Sequence, residues 1–249
     1  MNQKHIRNLW DSIKDISTSI LRIEDLHNKL SLCATLSGQK NVASVEPEDD
    51  SLLPNLQHLR KILRTFKLLT SVTTLRRIQP SLDKTNISTK IRSYFVELNA
   101  TKKPTILLWA YKNKQIQNQF KPKMTNFQIG GILGYPSHCI KEYNKYIIIN
   151  TRNYVNALKN QYNTNNDDEI IALIKRNAHV TYRKKDNTIK TLKKFPFLPY
   201  IACNKCLAGE YDISRKINAP LEKLSRKIDS QFYNDILLEV KRLVALTEQ

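Results

Sequence analysis

Glycine is scarce in this chain of 249 residues: there are five, and three of them, Gly130, Gly131 and Gly134, fall in one stretch running from Gln128 to Tyr143. No apolar run approaches the ~18 residues that a membrane-spanning helix needs. The N-terminus, Met1 to Arg7, leads into an amphipathic pattern and is not expected to be a signal peptide. Cysteine is also sparse. Four cysteines without a secretory signal point to a reducing compartment, the cytoplasm, and to metal or thiol chemistry rather than a disulfide framework. Acid is short as well: 22 Asp and Glu against 41 Lys and Arg leave a net charge of +19. That excess favours polyanionic partners, RNA, DNA or an anionic surface. There is no internal repeat. The length suffices for a real core, in one large domain or two small ones.

The periodicities predict an α+β protein, mostly helical, with a small antiparallel sheet or hairpins in the middle and long helices at both termini. Ile6, Leu9, Ile13, Ile16, Ile20, Ile23 and Leu30 keep a 3-4 spacing, with His27 as a polar interruption, so residues 5 to 33 read as one long helix. Cys33 reads as a small apolar filler at its end. The organisation expected is an N-terminal amphipathic helix over 1–36, a mobile linker over 37–54, a basic helical region over 55–89, an α+β core over 90–215 and a C-terminal helix over 216–249.

Within the basic region, Asn55 is expected to cap a helix with Leu56, Leu59, Leu63, Phe66, Leu69 and Val72 on one face and Arg60, Lys61, Arg64 and Lys67 on the other. Branched and aromatic residues over 91–98 and 105–111 predict two strands, joined by a turn at Asn99 to Pro104. Lys112 and Lys114 lie in a lysine-rich run with Tyr111 and Phe120, a combination that suits stacking plus charge on single-stranded nucleic acid. Thr125 or Asn126 is expected to cap a short helix through Leu133, and Pro136 to start another with Ser137, His138 and Cys139 in its first turn. Residues 178 to 194 read as a hairpin. Arg183, Lys184, Lys185 and Lys190 lie there, in the densest basic run. Asn218 and Pro220 should open one long final helix that packs on the N-terminal helix or on a second copy of the chain.

Two knots carry the chemistry. Cys203 and Cys206 have the two-residue spacing that lets both sulfurs reach one metal ion. The pair that would complete a site is His138 and Cys139, giving a Cys3His set that suits zinc and, less well, an iron–sulfur centre. Buried thiols without metal, or a redox or nucleophilic cysteine, are the other readings of the same residues. A zinc-deaminase site is excluded by register: Ile140 and Lys141 stand where its glutamate would be, and Glu142 is out of place.

The stretch Leu133 to Tyr143 resembles the Leu-Gly-Tyr-Pro-x-Cys-Cys motif of an archaeal family of unknown function, in which paired cysteines follow a later proline-containing segment, as Phe195 to Cys206 do here. The likeness spans about residues 90 to 215, with its specificity in eleven residues. It implies an archaeal source and a shared pocket, with no reaction attached. His138 stands where the motif has its first cysteine. As a ligand that cysteine could be replaced by His138; as a nucleophile it could not.

The expectation is therefore a cytoplasmic zinc protein that binds nucleic acid, RNA rather than DNA, and that could dimerise through its terminal helices. The rivals are an enzyme using metal-activated or thiolate chemistry in the Cys/His pocket, and a helical assembly protein with a vestigial site.

Overall fold

The computed structural model describes residues 3–47, 49–83, 85–101, 103–176 and 187–247. It is mostly helical, with a small central sheet and helices at both termini.

The N-terminal heptad seam is broken in two. Helix α1 (Gln3–Ile13) buries Ile6, Leu9, Trp10 and Ile13, and α2 (Arg22–Ser37) starts afresh. Between them Ile20 is 67% exposed, so the pattern that predicted a continuous helix does not hold there. The cause is a run of hydroxyls that offers the backbone other partners. The Thr18 amide and hydroxyl both donate to Asp25 Oδ1, at 2.6 and 2.8 Å. The Leu21 amide donates to Ser19 Oγ at 3.1 Å. Lys29, its side chain 4% exposed, then pairs with Asp25 at 2.7 Å and donates to the Lys14 carbonyl, also at 2.7 Å.

The segment expected to be a linker contains strand β1 (Val42–Val45), which packs antiparallel against β3 (Thr105–Tyr111), with Val42 opposite Tyr111 and Val45 opposite Leu108. Helix α3 (Leu53–Thr65) stops short of the predicted face. Lys67 takes a left-handed φ of 62°, and the β-branched residues that follow form β2 (Leu69–Ile78). Leu69 and Val72, expected on the helix face, are exposed on that strand. Strand β2 pairs antiparallel with β3 and, through Arg76 to Ile78, parallel with β4 (Lys123–Thr125). The sheet is thus mixed, in the order β1-β3-β2-β4.

The expected strand over 91–98 is helix α4 (Thr89–Thr101). Its branched and aromatic residues serve packing instead: Ile91, Tyr94 and Phe95 join Ile170 and Ile174 of α7 (Asp167–Arg176) in a separate apolar cluster. Val155 and Leu158 of α6 (Ser137–Gln161) complete it.

Alternation along the strands separates the two faces of the sheet. Ala43, Val45, Leu108 and Ala110 face the main core, built with α1, α2, α3, α10 (Ile213–Ile228) and α11 (Ser230–Thr247). Val42, Leu75, Leu107, Trp109 and Tyr111 face α5 (Asn126–Ile132). The terminal helices pack on each other, with Trp10 and Phe232 stacked at 3.9 Å between ring centroids.

The C-terminal helix is two helices. Helix α10 begins five residues before the expected cap, keeps Pro220 inside it, and ends at Asp229, whose Oδ1 accepts the Gln231 amide at 2.7 Å. Asn218, predicted as the cap, is buried in α10 and accepts the Phe197 amide at 3.0 Å. The predicted second strand of the 178–194 hairpin is helix α8 (Thr188–Lys194). The first strand and most of the turn lie outside the described residues.

Candidate metal centre

Two short helices and a loop bring the two knots together. Thr125 caps α5 with a complete capping box: its Oγ1 accepts the Gln128 amide, and Gln128 Oε1 accepts the Thr125 amide. Gly134 then turns the chain with a φ of 76°, Pro136 leads in, and α6 begins at Ser137. His138 and Cys139 therefore sit in its first turn, as the sequence predicts. Gly130 allows α5 to lie close to α6, since a Cβ there would stand 2.7 Å from Ile140 Cδ1.

On the other side Cys203 precedes the five-residue helix α9 (Asn204–Ala208) and Cys206 lies within it. Gly209, with a φ of 89°, ends it. Three polar contacts fix this loop. Thr191 Oγ1 accepts the Ala202 amide at 2.9 Å, Glu142 Oε1 accepts the Asn204 amide at 2.8 Å, and the Tyr135 hydroxyl donates to the Pro199 carbonyl at 3.0 Å. Glu142, out of register for proton transfer in the deaminase pattern, thus ties α6 to α9. His27, read as an interruption in a seam, donates from Nε2 to the Pro196 carbonyl at 2.7 Å, and burial holds its pKa below the ordinary value.

The ligand atoms of His138, Cys139, Cys203 and Cys206 all lie within 4.8 Å of one another, so this group can hold a metal ion. His138 Nδ1 is 3.2 Å from Cys203 Sγ and 3.4 Å from Cys139 Sγ. Cys139 Sγ is 3.8 Å from Cys206 Sγ. A tetrahedral zinc with bonds of about 2.3 Å to sulfur and about 2.05 Å to nitrogen sets its ligands about 3.8 Å apart for two sulfurs and about 3.6 Å for sulfur and nitrogen. These three separations lie close to that frame, and the widest in the group, within 4.8 Å, closes to it with a shift of about 1 Å. Adjacent residues can share the ion here because histidine offers its near nitrogen, Nδ1, while the ring rests against Tyr211 at 4.7 Å.

The surroundings are apolar: Phe195, Leu198 and Ala202 are buried with the three cysteines, and Tyr200, Leu207 and Ile217 pack on them. Burial pushes the Cys139 and Cys203 thiols up, and the neighbouring sulfurs add to the cost of a thiolate at Cys139. A divalent cation reverses that balance, because it supplies the charge that sulfur anions need. Cys33 is not part of the centre. It is buried alone in the main core, its thiol pushed up to about 12 by burial, in keeping with a filler role.

The basic residues are more dispersed. Arg60 and Arg64 both turn their Nε toward Thr70 Oγ1, at 3.4 and 3.1 Å, and Lys61 is exposed beside them. Leu69 pairs with Tyr111, so the Lys67 turn and the exposed Lys112 and Lys114 share one end of the sheet. Lys190 is exposed on α8, while Arg183, Lys184 and Lys185 lie outside the described residues. The aromatics expected to stack on bases are otherwise engaged: Tyr111 is 2% exposed, and Phe120 stacks on Trp109 at 4.5 Å. Among the described residues no helix is long and apolar enough to cross a membrane. Comparison with family models, with curated proteins and with solved structures returned no match.

Proposed function

We propose that the chain is a zinc protein whose Cys3His centre is structural and whose basic surface binds nucleic acid, RNA in preference to DNA, in the cytoplasm. The convergence of His138, Cys139, Cys203 and Cys206 within 4.8 Å carries the first half. Four protein donors fill a tetrahedral ion and leave no open position, which is the character of a structural site. An iron–sulfur cluster would spread its ligands further than one ion does. On this reading His138 takes the place of the first cysteine in the archaeal motif as a ligand.

The second half is supported by the net charge of +19 and by the grouping of Lys67, Lys112 and Lys114 at one sheet end, with Arg60, Lys61 and Arg64 on the adjoining α3. The loss of Tyr111 and Phe120 to the core favours phosphate contact over base stacking as the mode of binding. A homodimer would use the outer face of α11, where Leu238 is 67% and Leu246 58% exposed.

A second reading, an enzyme, is favoured by a cavity that reaches Cys139. The decisive experiment is elemental analysis of protein purified without chelator. One zinc per chain is expected, and it should be lost in Cys139→Ser and Cys206→Ser. A metal-free protein with free thiols and an unchanged fold would overturn the zinc half. RNA binding without salt dependence would overturn the other.

A further inference from the structure

A cavity of about 480 Å3 lies beside the metal centre, with Cys139 and Ile140 in one wall. That is the size range of a small-molecule site. Its lining joins apolar and aromatic groups to two cations, Lys40 and Arg77. Both cations keep unused donors. Lys40 is pushed down to about 8 by burial, with no carboxylate acting on it, and its Nζ lies 5.6 Å from the centre of the Tyr135 ring. Arg77 pairs with Glu46 through Nη2, yet its Nε is buried without a hydrogen-bond partner among the described residues. Burial pushes the Tyr135 hydroxyl up to about 12 and Arg77 partly offsets that rise, and both cations line the cavity with Tyr135. Glu46 offsets the charge of Arg77 and leaves its Nε free to donate, and Glu24 is exposed and accepts from Ser19 Oγ at 3.4 Å, so Lys40 is the cation whose charge is left over.

We propose that this cavity binds a small organic anion, its carboxylate or phosphate taken by Lys40 Nζ and Arg77 Nε and its apolar body lying against Tyr135, Tyr200 and Ile140. A half-buried ammonium without a counterion is costly, and so is an orphaned guanidinium N–H. One anionic head answers both through charge-assisted hydrogen bonds. The tilted pair of Tyr135 and Tyr200, 4.9 Å between centroids, supplies a flat apolar wall for the rest of the ligand. The site shares Cys139 as a wall with the zinc reading, but Lys40 and Arg77 serve neither that reading nor the RNA one.

Calorimetric titration of the zinc-loaded full chain tests the proposal with four probes: benzoate, benzamide, adenosine monophosphate and adenosine. At least one anion should bind saturably, one per chain, and at least tenfold tighter than its uncharged counterpart. Which anion wins separates a carboxylate site from a phosphate site. Lys40→Met and Lys40→Gln should each weaken binding at least tenfold while zinc content stays at the wild-type value, and Lys40→Arg should retain most of it. Binding of neither anion, equal binding of anion and uncharged counterpart, or undiminished binding by Lys40→Met would each overturn it.

Discussion

Gly130 and Gly131 are neighbours in one helix with opposite surroundings, which makes them a direct test of how the site is packed. A Cβ on Gly130 would meet Ile140 Cδ1 at 2.7 Å and Cγ1 at 2.9 Å, whereas one on Gly131 meets nothing within 4 Å. Gly130→Ala should therefore destabilise the fold by about 1–3 kcal/mol through overpacking next to Cys139. Gly131→Ala should be neutral or stabilising by about 0.4–1 kcal/mol. Urea unfolding of the two variants measures the difference directly. Lys40 gives a second test, through pH. Its folded pKa of about 8 is below the ordinary 10.5, so the folded chain binds fewer protons than the unfolded chain between those values. Stability thus rises as pH climbs from about 8 to about 10.5, and the penalty of the charged form is fully present below 8. With allowance for partial solvation, Lys40→Met should stabilise the ligand-free protein at pH 7 by about 1–3 kcal/mol, and the gain should vanish near pH 10.5. A gain of equal size at both pH values would show that the ammonium is not what costs stability.

At the scale of elements, the chain was most legible where a local signal and a tertiary need agree. The Thr125 cap, the turn at Gly134 and the start of α6 after Pro136 were all readable, because each is fixed by chemistry within a few residues. Residues 69 to 78 and 89 to 101 were not. The first continues a helical apolar spacing from α3, but its run of threonines, serine and valine goes to the sheet beside β3. The second has strand-like composition, but Ile91 is drawn into a helix by the apolar faces of α6 and α7. The split of the N-terminal seam depends on partners about seven to fifteen residues ahead. Asp25 holds Thr18 and Lys29 together, and Lys29 satisfies the Lys14 carbonyl just past the end of α1. Asp25→Ala should cost about 3 kcal/mol, because it strands a buried ammonium. Adding Lys29→Met should recover much of that loss. Guanidinium unfolding of the single and double variants decides it: equal stability of the two would mean that Lys29 finds water or another acceptor once Asp25 is gone.

At the scale of the whole molecule, the Cys203 and Cys206 half of the candidate metal centre was legible from its spacing and the His138 and Cys139 half only as the pair left to complete it, while the cavity beside them was not legible at all. Lys40, Arg77 and Tyr135 come from a loop, a strand and a turn with nothing in common in the sequence, and only the closure of α2, the sheet and the 195–206 loop gathers them. The basic surface is intermediate. Its residues are plain in the composition, but which of them act together is decided by the register that sets Leu69 opposite Tyr111. On the nucleic-acid reading this has a measurable consequence. Each lysine that neutralises a phosphate releases counterions, so the logarithm of RNA affinity falls with the logarithm of salt by about 0.7 per contact on a single strand. Lys112→Gln with Lys114→Gln should flatten that slope by about 1.4 if both contact phosphate. Lys190→Gln, on α8, should flatten it only if the RNA also reaches the helices packed on α11. Filter binding across a salt series reads all three slopes. Removal of Lys112 and Lys114 that lowers affinity without changing the slope would mean that they shape the sheet end and do not touch the backbone of the RNA.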